Sequence, residues 1–224
     1  MSIYFGLFIS VFAYMIGIWV KKKWKLGIFN PLLIAVILII AFLSAAGISY
    51  DKYNAGAGYI SYFLTPATVC LAIPLYKQLE LLKKNMTAVL LGITSGVLGS
   101  AAGIFLMSYL FGVDHVTYVS LLPKSITTAI GMGVSQEAGG IVTITIVSIL
   151  LTGILGNITG EVWFKLIGVK EPVAKGLALG TAAHAIGTAR ALEMGEVEGA
   201  MSSLAIAVAG LMTVVVVPFV SGLI

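Results

Sequence analysis

Five stretches of this chain run for roughly the length of a bilayer crossing without one charged side chain: Ile3 to Val20, Pro31 to Tyr50, Met86 to Val113, Ala138 to Gly160 and Gly199 to Ile224. A helix needs about 20 apolar residues to span the hydrocarbon. Lipid offers backbone groups no hydrogen-bond partners, so only helices and closed barrels can cross it. The runs therefore predict an all-α, polytopic membrane protein. Ala55 to Tyr76, interrupted by proline, is a sixth candidate crossing. Composition agrees: 59% of residues are apolar, 10% are charged and the mean hydropathy is +1.09, which excludes an ordinary soluble surface. The 26 glycines and six prolines lie within the apolar stretches rather than in linkers. That placement predicts close helix contacts and broken helices.

The net charge of +4 comes from thirteen cations against nine acids, and several cations flank apolar runs as topology signals do. No nucleic-acid patch follows from it. Lys21, Lys22, Lys23 and Lys25 follow the first run, which marks an anchor rather than a cleaved leader and places that loop in the cytoplasm. The near-neutral loop Asp51 to Asn54 then lies outside, Lys77, Lys83 and Lys84 inside, and Asp114 with His115 outside. Lys165, Lys170 and Lys175 also belong inside, so Val116 to Gln136 must enter and leave from the same side. Gly176 to Leu192 is its expected partner from the opposite side. Neither is a simple lipid-facing helix, since Pro123-Lys124 interrupts one and the other carries His184 and Arg190. The whole chain, 1–224, is expected to form one transmembrane domain, with an N-terminal helix pair (1–54) and a repeat-containing core (55–224). The single cysteine, Cys70, has no partner for a disulfide or a thiolate metal site and is expected to pack as a small residue.

A slide of 57 residues carries Pro66-Ala-Thr-Val-Cys-Leu-Ala-Ile-Pro-Leu75 onto Pro123-Lys-Ser-Ile-Thr-Thr-Ala-Ile-Gly-Met132. Downstream it aligns Glu80 with Glu137, Gly96 with Gly153, Gly99 with Gly156 and Gly103 with Gly160. A second slide, of 56, aligns Thr128-Ala-Ile-Gly131 with His184-Ala-Ile-Gly187 and Glu137 with Glu193. Repeats of this kind build pseudo-symmetric cores whose interrupted helices meet near the midplane. Coincidence among Ala, Ile and Gly is the competing explanation. If the two short segments re-enter, the repeats are inverted; if both span, the repeats are parallel and the charge rule fails around Lys165.

Leu122-Pro-Lys-Ser-Ile-Thr-Thr128 places a proline at an expected first helical position, with hydroxyls and an ammonium in the same turn. Free N–H groups at such an end attract anions. Lys124, Ser125, Thr127 and Thr128 thus form a candidate carboxylate site, although a lysine there also has the option of snorkelling to the interface. In Gly180-Thr-Ala-Ala-His-Ala-Ile-Gly-Thr-Ala-Arg190, the residues Thr181, His184 and Thr188 recur at i, i+3 and i+7, which puts them on one helical face. Arg190, the only arginine, suits bidentate carboxylate recognition; an ion pair with Glu193 is the alternative. His184 is, like Arg190, a candidate for substrate binding; it titrates near neutrality when unperturbed and is also a candidate for proton coupling, or else a helix contact. Glu137 either carries a proton or pairs with Lys124. The Gly96 to Ser100 and Gly153 to Asn157 stretches serve close helix packing. Tyr4, Trp19, Trp24, Tyr50, Tyr53, Tyr59 and Trp163 are candidate interfacial anchors. No dinucleotide fingerprint, P-loop or HExxH motif occurs, so no cofactor or metal is expected. A nucleophilic enzyme would have only His115 and His184 to draw on.

These motifs resemble the LrgB/CidB family of bacterial inner-membrane proteins over the whole chain. The resemblance rests on Leu122 to Thr128, Gly139-Gly140, Thr152-Gly-Ile-Leu-Gly156, Gly176 to Arg190 and Glu198-Gly-Ala-Met-Ser-Ser-Leu204. Many members carry proline where this chain has Ala129. The resemblance implies two functions: antiholin-like control of murein hydrolases and lysis with a small LrgA/CidA-type membrane partner, or transport of small carboxylates such as pyruvate, glycolate or glycerate. The residues themselves favour a carrier, expected to work as a homo-oligomer in the bilayer. In it, Lys124 and Arg190 neutralise a monocarboxylate, Ser125, Thr127, Thr128, Thr181 and Thr188 orient it, and His184 with Glu137 respond to protonation.

Overall fold

A computed structural model of the protein describes residues 4–24, 29–63, 66, 69–70 and 72–224. Within them the chain is helical throughout and contains no strand. Four helices are long and apolar enough to cross a membrane: α1 (Phe5–Trp24), α6 (Met86–Phe111), α9 (Val142–Leu166) and the last, α11 (Glu196–Val220), which a 3-10 turn extends through Leu223. The protein is a polytopic membrane protein. Two compact units divide it, Met1–Cys70 and Leu71–Ile224.

In the first unit, α1 packs against both α2 (Pro31–Ala45) and α3 (Tyr50–Ser61). The Asn30 side chain accepts hydrogen bonds from the N–H groups of Leu32 and Leu33 at 2.8 and 3.2 Å, and Pro31 occupies the first helical position, where no N–H is needed. Gly17 lets the backbone of α1 approach Pro31: an added Cβ would stand 2.5 Å from its carbonyl oxygen. The proline-interrupted run 55–76 and Lys25 lie partly or wholly outside the described residues, as does much of the first repeat copy. Cys70 is exposed rather than packed, which a thiol tolerates because it is close to apolar.

The second unit begins with two short helices, α4 (Ala72–Lys77) and α5 (Leu79–Lys84), and the long α6, which stops at Gly112 in the left-handed conformation (φ 61°). The next two short helices, α7 (His115–Leu121) and α8 (Thr128–Glu137), form a hairpin. Thr145, near the start of α9, donates its hydroxyl to Ser120 O (2.9 Å) in one arm and Ser135 Oγ (2.6 Å) in the other. The end of α7 and the end of α8 thus lie at one level beside the start of α9, and the turn 122–127 between them lies deeper, where Gly131 packs on Ile149 and Pro123 O. Pro123 sits in that turn rather than opening a helix: Lys124 N–H bonds to Leu121 O, Thr127 is extended, and the helix resumes only at Thr128.

Helix α10 (Pro172–Met194) is a second hairpin, because His184 leaves the helical conformation at φ 41°, ψ −137°. A Cβ on Gly187 would fall 2.5 Å from Leu179 O, eight residues earlier. In a continuous helix those levels are roughly 12 Å apart. The hairpins open at opposite ends of α9: Ser120 and Ser135 meet its first turns, whereas Arg190 meets Glu161 near its end. The helices that follow them, α9 and α11, run antiparallel, since Glu198 near the start of α11 packs on Gly176 and Val220 at its end accepts from Tyr118. This is the inverted arrangement. The 56-residue register lays Thr128, where the first hairpin resumes its helix, on His184, where the second one breaks.

Candidate functional site

The two hairpin tips meet beside the middle of α6. Ser125 Oγ lies 3.1 Å from Ser100 Oγ, and Lys124 Nζ donates to Ser125 Oγ at 3.1 Å. From the other tip, Thr181 packs its Cγ2 against Gly96, where a Cβ would stand 2.5 Å away. Lys124, Ser125, Ser100 and Thr181 line the inner end of a groove of about 730 Å³ between α6 and the first arm of α10. Its walls are small and apolar, among them Ala88, Gly92, Ala174 and Ala178, and its far end lies at Asn85 and Glu171. Fifteen helical residues separate Asn85 from Ser100, a path of roughly 22 Å. A smaller cavity of about 10 Å³ lies among Ser100, Ser125, Thr181, Val97 and Thr213.

Lys124 is the one cation lining the groove, and no carboxylate among the described residues pairs with it. Ser125 is buried and Lys124 partly so. The remaining side chains of the sequence-predicted site are placed elsewhere. Thr127, the last residue of the turn, and Thr128, the first of α8, do not line the groove. His184 is buried, and its Nε2–H donates to Ile149 O at 3.0 Å, so it serves the contact between hairpin and α9. Thr188 Oγ1 donates to His184 O at 3.0 Å and lies 2.7 Å from Ser202 Oγ on α11. The single polar face expected of Thr181, His184 and Thr188 does not exist, because the helix breaks between the first and the last of them.

Arg190 binds two protein carboxylates, Glu161 Oε1 at 2.6 Å and Glu193 Oε2 at 2.5 Å. The ion-pair alternative therefore describes it, and its fork is already filled. Glu137 ends α8, exposed, roughly 14 Å of helix from the tip that holds Lys124, and does not pair with it. Ser100 is the groove residue that sequence reasoning missed, since in Gly96-Val-Leu-Gly-Ser100 it looks like one more small packing residue. Among the described residues no group of His, Cys, Asp or Glu side chains is placed to hold a metal.

The glycine registers of the repeat are used unequally. On α9, Gly153, Gly156 and Gly160 all pack on α10, against His184, Ala183 and Leu179. On α6, Gly96 meets Thr181, whereas Gly99 and Gly103 face open space.

Residues 10–223 match the LrgB-like family. The chain belongs to that family. Antiholin-like protein LrgB of Bacillus cereus (strain B4264) is 43% identical to it over 219 residues, which is 97% of this chain and 95% of the relative. Antiholin-like protein LrgB of Bacillus anthracis (strain A0248) shows the same identity and coverage. No solved structure matches the chain.

Proposed function

We propose that this LrgB-family protein binds a small monocarboxylate of the pyruvate, glycolate or glycerate class in the groove and carries it across the bacterial cytoplasmic membrane between the hairpin tips. The observation that carries this reading is Lys124: an ammonium at the tip of a re-entrant hairpin, beside hydroxyls and paired with no carboxylate among the described residues. A charge withdrawn from water is costly unless paired. A bound monoanion neutralises it, while Ser125, Ser100 and Thr181 supply donors to the carboxylate and its substituents. A dianion would leave a net charge between apolar walls, so the site favours one carboxylate per ligand.

The relatives' name favours a second reading, antiholin-like control of lysis with a small LrgA/CidA-type membrane protein as partner. Uptake of labelled pyruvate or glycolate into proteoliposomes separates the two. On the carrier reading wild type accumulates label and Lys124→Ala, still folded by size exclusion and circular dichroism, does not. If wild type moves no carboxylate, with or without its partner, the carrier reading is wrong and the lysis reading stands.

A further inference from the structure

A second pocket lies at the mouth of the second hairpin and shares no lining residue with the groove. It measures about 270 Å³, close to the lower limit of small-ligand pockets, and is formed by the end of α9, both arms of α10 and the start of α11. Phe164, Val169 and Met194 give it an apolar wall, continuous with the cluster around Leu179 and Ala191. The remaining lining is charged: Lys165, Lys175, Glu161 and Glu198.

The depth of this pocket follows from α9. At 1.5 Å per residue from Val142, Glu161 and Lys165 stand roughly 28 to 35 Å along the helix, about the thickness of the hydrocarbon core. Trp163, Leu166 and Ile167, on the same turns, are exposed and apolar. The pocket therefore lies at the level of the lipid headgroups, on the side that Lys165, Lys170 and Lys175 mark as cytoplasmic.

Among the described residues, Lys165, Lys175 and Glu198 have no ion pair, and Arg190 takes only one oxygen of Glu161. Two ammoniums and two carboxylates around one space sum to zero charge. Complementarity then favours a ligand that carries both signs over a plain anion or a plain cation. At headgroup depth, a phospholipid with a phosphate and a primary ammonium meets that description. Its phosphate oxygens accept from lysine, and its ammonium has three N–H donors for the carboxylates. A trimethylated headgroup has no N–H to give, and a glycerol headgroup has no positive charge to set against Glu161 and Glu198.

We infer that this pocket is a phospholipid site selective for a phosphoethanolamine headgroup, with the phosphate on Lys165 and Lys175 and the ammonium on Glu198 and Glu161. A lipid seated there joins α9, both arms of α10 and α11 at the membrane surface. The site is independent of what the groove carries.

The test is native mass spectrometry of the full chain in detergent, titrated with dioleoyl phosphatidylethanolamine, phosphatidylglycerol and phosphatidylcholine. Wild type should hold the ethanolamine lipid about tenfold more tightly than either of the others. Glu198→Gln should bring it down to the level of the glycerol lipid, whose own binding should not fall. Lys175→Gln should weaken the ethanolamine and glycerol lipids alike. Lys165→Gln should do the same from an exposed position, which keeps the test decisive if a change at either half-buried residue unfolds the chain. Equal retention of the three lipids by wild type would overturn the inference and leave only a nonspecific lipid annulus; a tighter hold on the glycerol lipid would overturn it in favour of a simple anion-attracting rim. Unchanged binding of the ethanolamine lipid in Glu198→Gln or in Lys165→Gln would overturn it as well. Displacement of that lipid by O-phosphoethanolamine at equal concentration would give the pocket to a soluble phosphate ester and end the lipid reading.

Discussion

The two re-entrant hairpins share a register and a shape but keep their polar side chains in different places. The first, 115–137, carries Lys124 and Ser125 at its tip and directs them into the groove. The second, 172–194, turns most of its polar groups inward: His184 to Ile149 on α9, Thr188 to Ser202 on α11, Arg190 to Glu161 and Glu193. Only Thr181 reaches the groove from that side. The way each chain reverses differs too. The first hairpin uses a six-residue turn, 122–127, whereas the second reverses essentially at one residue, whose positive φ costs about 1–3 kcal/mol. A pair of structural repeats can thus be divided, one tip facing the groove and one built into the surrounding scaffold.

Substitutions that strike one hairpin and spare the other test this division. Lys124→Ala should lower carboxylate affinity by at least about 100-fold, as loss of a buried charge partner does, with unfolding in detergent little changed. Equal damage to stability would make Lys124 structural. On the scaffold side, Gly153→Val forces a side chain onto His184 and Ile186, whose atoms already lie 2.8 Å from an added Cβ. It should cost about 3 kcal/mol, measured by thermal or denaturant unfolding. Gly99, the repeat counterpart of Gly156, faces open space, so Gly99→Val should shift unfolding by no more than about 0.5 kcal/mol.

His184→Ala should come next, at about 2 kcal/mol, because it deletes the bond to Ile149 O and opens a space. Carboxylate affinity should stay within about twofold of wild type; a large fall would give that tip a direct part in binding. Arg190→Ala breaks ion pairs that are partly open to water and should cost about 1 kcal/mol at low salt, less at high salt. The smallest effect belongs to Asp114, which caps α7. Hydrogen bonds from Thr117 hold its carboxyl below the ordinary range. A lowered pKa stabilises the fold above the unfolded carboxyl's own pKa, and the gain disappears as pH falls through the folded value. Asp114→Asn should flatten that acid limb slightly and leave neutral pH nearly untouched.

Much of this arrangement is legible in the sequence, for reasons that particular residues make plain. Charge-free runs gave away α1, α6, α9 and α11 because lipid forbids ions along an exposed span. The lysines at 165, 170 and 175 required a re-entrant segment, and the 56-residue register laid one break on the other. What stayed hidden depended on distant partners. Arg190 looked like a ligand receptor because Glu161 is 29 residues away on another helix, and Ser100 looked like packing because Ser125 is 25 residues away. Counting a regular helical face through 181–188 failed for a different reason. A single residue with positive φ reverses the chain, and nothing in the identity of His184 announces it.

Helix α9 is fastened to both re-entrant pieces, to the first through Thr145 and to the second through Ile149 O, the Asn157 side chain on Ile186 O, and Glu161. Sliding one hairpin past the other would break one of these sets inside the bilayer, where no water replaces what is lost. Carrying both hairpins together with α9 and α11 along the small-residue flank of α6 keeps these bonds, and those of Thr188 and Tyr118 to α11, while parting Ser125 from Ser100. Cargo seated at Lys124 would then ride with that assembly, and α6 would be the stationary wall that it passes.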